Sequence, residues 1–333
     1  MNILVYDVAA ESGGATSVLN YFYEQHKKDK SNHYYYLLST YELKNADNIT
    51  VINEPMVKKS WLHRIVFDYI GTRKYIKEYE IEQIISLQNI VIPGFKGEQT
   101  VYMHNALPFS EYRFSLREDP KLWIYQNIIG QMIKKSILKA DKVIVQADWL
   151  KYEIERQIPK SQGKIEVSFP KVEILDDFKY QQQKKKVFFY PANGSRFKNH
   201  ELIYEACCLL KQQGIGEYEV VLTLQGDESK NIKRLFEMTL KENMNFKWMG
   251  MMTREEVFHW YGLSILIFPS YIETIGLPIY EAMSIGAPIL LADCLYSKSV
   301  AKDYDAVQYF DYKDANKLAE LMKKIILGSS ESS

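Results

Sequence analysis

Cysteine is scarce in this chain: three among 333 residues, at 207, 208 and 294. Their spacing matches no metal or redox motif, so a disulfide scaffold and a zinc fold are excluded and a reducing compartment is implied. Net charge is missing too. Lys and Arg number 42, Asp and Glu 42, and no global field argues for nucleic acid as a partner. No apolar run approaches the roughly 20 residues of a membrane span, and no signal peptide is visible, because Met1 leads straight into a strand. The Gly-x-Gly-x-x-Gly dinucleotide fingerprint is absent as well. What is present is an ordinary globular composition, 47% hydrophobic and 25% charged, with length for two α/β domains of about 150 residues each. Tyr at 25 and Phe at 15 are high counts, which suit core packing or an aromatic surface for sugars or a membrane interface.

The organising stretch is Ser264–Ala292. Its apolar run Ile265–Phe268 is too short for a helix and is closed by Pro269-Ser270, so it reads as a buried strand. A loop follows over 271–277. Pro278 suits a first helical position, and Gly286 supplies the stop before a second apolar run, Ile289–Leu291. Strand, loop, helix and strand belong in a parallel sheet. Two carboxylates lie eight positions apart, Glu273 in the loop and Glu281 one turn into the helix. Between them Gly276 allows close approach to the backbone, and the amides of Ile275–Leu277 with the helix dipole favour an anion such as a diphosphate. An anion flanked by two carboxylates that accept from hydroxyls describes a nucleotide-sugar. A βαβ unit with Glu281 in water and Gly276 only making a turn fits the loop alone equally well.

The same physics recurs twice. Asn2–Val5 leads through Gly13-Gly14 into a helical pattern, and Val187–Tyr190 leads through PANGSRFKNH, with Arg196 and Lys198, into a helix from about Glu201 to Gln213. Each is an anion cradle. Thr100–Met103 ends in His104, and the carboxyl end of a parallel strand is where such sheets bind ligands; a lone histidine is nevertheless more often structural. Tyr112, Arg113, Phe114 and Arg117 form a candidate acceptor rim. Lys58–Lys77 and Lys121–Leu138 read as amphipathic helices with basic residues, packed on the sheet or touching an anionic membrane. Further strands are expected at 34–38, 49–52, 81–87, 165–169 and 171–174. Gln181–Lys186 breaks every periodicity and marks a linker at 179–186, between domains at 1–178 and 187–328. Asp303-Tyr304-Asp305 is formally Asp-x-Asp but ends no apolar strand, so it reads as a surface turn.

The run from Glu273 to Pro288, with Thr274, Gly276, Leu277, Pro278, Glu281, Ala282, Met283 and Gly286 in place, resembles the Glu-x7-Glu signature of the group 1 (family 4) retaining glycosyltransferases. Ile275 stands where that family more often has Phe, Ser299 where Glu is frequent, and Ala192 or Asn193 where many members have Arg. The resemblance implies the GT-B fold, two Rossmann-like doubly wound domains facing across a cleft. It implies sugar transfer with retention, without metal or cofactor, from a nucleotide-sugar donor to a glycan or lipid-linked saccharide. Glu281 then holds the ribose, and Glu273 with Thr274, Ile275, Gly276 and Leu277 the donor. Lys198, with Arg196 as a substitute cation, meets the diphosphate. Gly13 and Gly14 lie near phosphates and acceptor, and His104 reaches the sugar beside the scissile bond. A cytoplasmic location is expected, with peripheral contact on the inner face of the membrane, in bacterial-type surface polysaccharide synthesis. Family members usually continue past the position where this chain stops, at a GSSESS tail. Two alternatives stay open: a nucleotide-sugar epimerase of similar fold, and a non-catalytic sugar-binding subunit.

Overall fold

Short apolar runs become strands where both faces can be covered. Among the described residues of the computed structural model, which are 1–10, 14–168, 175 and 177–328, thirteen do so. Gly13 and the strand expected at 171–174 lie outside the described residues. The chain divides into two compact units, Met1–Pro170 and Lys171–Ser333. The segment expected as a linker starts inside the second: Tyr180 N–H donates to the Ile285 carbonyl and Gln181 N–H to that of Gly262.

In the first unit, β1 (Asn2–Asp7), β2 (His33–Leu38), β3 (Ile49–Asn53), β4 (Gln83–Ser86), β5 (Glu98–Met103), β6 (Lys142–Val145) and β7 (Ile165–Val167) form one sheet in the order β3-β2-β1-β4-β5-β6-β7. Every ladder is parallel. In the second unit, β8 (Lys186–Tyr190), β9 (Tyr218–Leu222), β10 (Phe246–Trp248), β11 (Ile265–Phe268), β12 (Ile289–Ala292) and β13 (Val307–Phe310) order as β10-β9-β8-β11-β12-β13, again parallel throughout. In both sheets the chain winds outward from its first strand and then crosses back to that strand's other side. The reversal falls between β1 and β4 in one sheet and between β8 and β11 in the other, and the carboxyl ends of strands at such a reversal are where doubly wound sheets take their ligands.

Helix α1 (Gly14–His26) shows how the faces are covered. Val18, Leu19 and Tyr23 recur at helical spacing and pack against Ile3, Val5, Tyr34 and Tyr36. The tyrosine surplus goes largely inside: Tyr6, Tyr36, Tyr190, Tyr218 and Tyr261 are fully buried. Buried hydroxyls need partners: Tyr6 donates to Asp68, Tyr190 to the Lys198 carbonyl and Tyr261 to Glu281.

The two amphipathic segments are not continuous helices. A 3-10 turn Pro55–Lys58 precedes α2 (Trp61–Val66), which passes through a π-helical turn Phe67–Gly71 into α3 (Thr72–Glu78). Likewise α4 (Pro120–Ile124) passes through a π-helical turn Tyr125–Ile129 into α5 (Gly130–Lys139). The cause is a polar residue turned inward in each. Asp68 is buried, accepting from Arg64 Nε at 3.0 Å and from the Tyr6 hydroxyl. Gln126 is buried and bonds Phe114 N–H at 3.0 Å and the carbonyls of Leu107 and Tyr112 at 3.1 and 2.6 Å. A π-turn carries one residue more than an α-turn, so admitting these side chains leaves Val66, Tyr69 and Ile70, and Ile124, Tyr125 and Ile128, exposed to solvent.

Candidate functional site

The second unit opens with β8, whose carboxyl end feeds Pro191–Ser195 and a 3-10 turn Arg196–Lys198. Asn199, in the left-handed region at φ 62°, then starts α7 (His200–Gln212). The neighbouring strand β11 feeds Pro269–Gly276 and α10 (Leu277–Ser284), with Pro278 in its first turn. Gly276 has φ 63°, and a Cβ there would come within 2.9 Å of Ile279 Cδ1, so this position requires glycine.

The two loops are stitched together. Tyr271 N–H and Ser270 Oγ both donate to the Phe197 carbonyl, at 3.1 and 3.2 Å. Asn199 Nδ2 donates to the carbonyls of Pro269 at 3.3 Å and Tyr312 at 2.8 Å. Two buried tyrosines brace them from beneath: Tyr190 Oη donates to the Lys198 carbonyl at 2.8 Å, and Tyr296 Oη to that of Ser270 at 2.6 Å. The product of this scaffolding is a close ion pair, Lys198 Nζ to Glu273 Oε1 at 2.5 Å, both side chains largely buried. His200 adds no charge beside it, because burial and then Lys198 lower its pKa to about 3.

Glu281 is buried on α10 rather than facing water. Its Oε1 lies 3.0 Å from Arg254 Nη1, and its Oε2 accepts from Tyr261 Oη at 2.9 Å. Both sequence-marked carboxylates therefore have protein donors of their own. Ile275 is buried too. Gly276 opens α10 and Leu277 is its first residue; Thr274 and Arg196 are half-buried on the same two loops. Asp303 and Asp305 are exposed in the turn before β13, and among the described residues no three His, Cys, Asp or Glu gather as a metal site. Ser299 is exposed on α11 (Leu295–Val300).

In the first unit, Gly14 begins α1 just beyond the carboxyl end of β1. His104 follows β5 and is fixed from β4's side by Asn89, a residue the sequence reading passed over. Asn89 Oδ1 accepts from the backbone N–H of His104 at 2.8 Å and of Asn105 at 3.1 Å. That places its amide nitrogen toward His104 Nε2, at 3.3 Å, so Nε2 accepts and the ring proton sits on Nδ1. Burial lowers the His104 pKa to about 4, and the ring is neutral at physiological pH. Asn89 reaches this geometry with φ 64°, a conformation asparagine tolerates better than most. The expected acceptor rim is only partly a rim: Arg113 and Arg117 are exposed, but Phe114 is core.

The family described as Glycosyl transferases group 1 matches residues 173–333. Sucrose-phosphate synthase from Thermosynechococcus elongatus superposes with a TM-score of 0.71 at 15% identity, over 98% of this chain and 89% of that one. WaaG, a glycosyltransferase involved in lipopolysaccharide biosynthesis, gives 0.69 at 12%, over 98% and 90%. Anabaena Alr3699/HepE, solved with UDP-glucose, gives 0.69 at 13%, over 98% and 90%. No curated protein sequence matches the chain. At such identities the structural likeness carries the fold, while the second unit carries the family signature. The chain thus has the two Rossmann-like units of the GT-B fold, and residues 173–333 match the group 1 glycosyltransferase family.

Proposed function

We propose that this enzyme transfers a sugar from a nucleotide-sugar donor to a glycan or lipid-linked saccharide, with retention of configuration, in surface polysaccharide synthesis. The observation that carries the reading is the Lys198–Glu273 pair at the β8/β11 reversal, with Glu281 one turn into the next helix. A donor diphosphate competes with Glu273 for the Lys198 ammonium. Once Lys198 turns to the phosphates, Glu273 is released to accept from sugar hydroxyls, and Glu281 accepts from the ribose. Charge that develops on the leaving diphosphate meets Lys198, Arg196 and the start of α10. The part proposed for His104 is to support the sugar near its reacting carbon. The test is product analysis: a transferase releases nucleoside diphosphate only with acceptor present and keeps the donor's anomeric configuration. Release without any glycosidic product, or an inverted product, contradicts the proposal.

No metal is assigned a part, because the diphosphate charge is met by side-chain cations and backbone. Turnover is therefore expected to persist in EDTA. Activity abolished by chelation and restored by Mn²⁺ would return Asp303 and Asp305 to consideration.

Peripheral membrane contact belongs to the same proposal. It is supported by the apolar side chains exposed at both π-turns, Ile70 at 64% among them, beside exposed Arg73, Lys74 and Lys77 and exposed Lys121, Lys135 and Lys139. Lys134 does not contribute: it bonds Gln157 Oε1 at 2.8 Å and lies over the Phe109 ring. Each basic residue near an anionic surface adds about 1 kcal/mol, and salt screens it. Sedimentation with anionic vesicles at low salt is expected, weakened at high salt and lost in Val66→Glu with Ile70→Glu. Equal behaviour with neutral vesicles would count against it. Among the described residues no helix is long and apolar enough to cross a membrane.

A further inference from the structure

Glu281 is oriented by one helix, α9 (Arg254–Leu263). Arg254 stands in its first turn and Tyr261 seven positions later, so both lie on one face. The start of α9 is held by a reciprocal cap: Thr253 Oγ1 accepts from Glu256 N–H at 3.2 Å, and Glu256 Oε2 accepts from Thr253 N–H at 2.7 Å. The Arg254 guanidinium rests 5.2 Å from the centre of the Phe258 ring, and Phe258 is fully buried. Arg254 therefore approaches Glu281 from a fixed base, with its own side chain 38% exposed against 9% for Glu281.

A carboxylate offers about four lone-pair positions, two on each oxygen. Arg254 takes one on Oε1 and Tyr261 one on Oε2. By that count one position remains on each oxygen, and two neighbouring hydroxyls of a ribose need one acceptor each. We propose that Arg254, assisted by Tyr261, is a positioning residue that locks the Glu281 carboxylate in the orientation that reads a ribose diol, and so sets preference for ribonucleotides over deoxyribonucleotides. This rests on the reading of Glu281 as the ribose ligand. Without Arg254 the carboxylate keeps one tether and can rotate, and the two remaining acceptors no longer face both hydroxyls together.

The experiment is calorimetric titration with UDP, GDP and ADP, each beside its 2′-deoxy form, on wild type, Arg254→Gln, Arg254→Lys, Tyr261→Phe and Glu281→Ala. For the base that binds, wild type is expected to prefer the ribo form by about tenfold or more, the effect of losing one hydrogen bond to a charged group. Arg254→Gln should bring that ratio to within about threefold of one, and Arg254→Lys should keep an intermediate ratio. Tyr261→Phe, which removes a single oxygen, reads the second tether should Arg254→Gln fail to fold. Equal weakening of ribo and deoxy forms in Arg254→Gln, with the ratio kept, overturns the proposal and leaves Arg254 a structural partner. A Glu281→Ala ratio equal to wild type, a wild-type ratio near one, or no binding of any of these nucleotides overturns the ribose reading of Glu281 itself.

Discussion

Replacing Lys198 with alanine is expected to lower kcat by about 10²–10³-fold, the usual cost of removing one preorganised group that meets developing charge. The structure adds a second consequence. Lys198 is the partner of a largely buried carboxylate at 2.5 Å, and removing one member of such a pair leaves an uncompensated charge, costing about 3–5 kcal/mol where burial is complete. Lys198→Ala is therefore expected to unfold at lower temperature than wild type. Adding Glu273→Ala should restore much of the lost stability, since the stranded charge goes with it, and none of the turnover. A double-mutant cycle separates the two effects. Stability restored together with activity would contradict a catalytic part for Lys198, as would a single variant that folds less well but turns over normally.

His104→Ala is expected to cut turnover by about 10²-fold, the weight of one hydrogen bond made chiefly in the transition state. Donor affinity should change by less than about threefold, since the part proposed for His104 is confined to the reacting end of the sugar. The pH profile carries a further constraint. Burial depresses the His104 pKa to about 4, so the ring is neutral above roughly pH 5 and no His104 titration should appear in kcat between about pH 5.5 and 8. Between about pH 6.5 and 4 the unfolded chain binds the proton and the folded one does not, so this group's contribution to stability is lost as pH falls through that window. His104→Gln, which keeps a donor without a titrating ring, should retain more activity than His104→Ala. Equal losses in kcat and donor affinity would return His104 to a structural role.

The stretch 264–292 was legible because its signals are local. Ile265–Phe268 became β11, Gly276 took the left-handed turn and Gly286 followed α10 with positive φ. In each, an apolar run, a glycine or a proline acts on its own few residues. The partners of the site were not legible. Asn89 meets His104 across 15 positions, and Arg254 and Tyr261 reach Glu281 only because α9 and α10 are brought together by the sheet order. No spacing in one sequence encodes such pairs. The π-turns fall between these cases. Asp68 and Gln126 stand in phase with the apolar stripe of their helices, and a polar residue on a buried stripe was the available sign that the helical face would shift. The tyrosine count was ambiguous until Tyr190 and Tyr296 proved to be struts beneath the site loops and Tyr261 a donor to Glu281.

The central claim is that the loops after β8 and β11 seat a nucleotide-sugar. Thermal denaturation of wild type and of Lys198→Ala with Glu281→Ala, across UDP-, GDP-, ADP- and dTDP-sugars, tests it most directly. A ligand at about 100 times its Kd adds roughly 2.7 kcal/mol to the folded state. The account predicts that sugars on one nucleotide base raise the wild-type Tm and leave the double variant unmoved. No shift with any donor, or the same shift in both proteins, would contradict it.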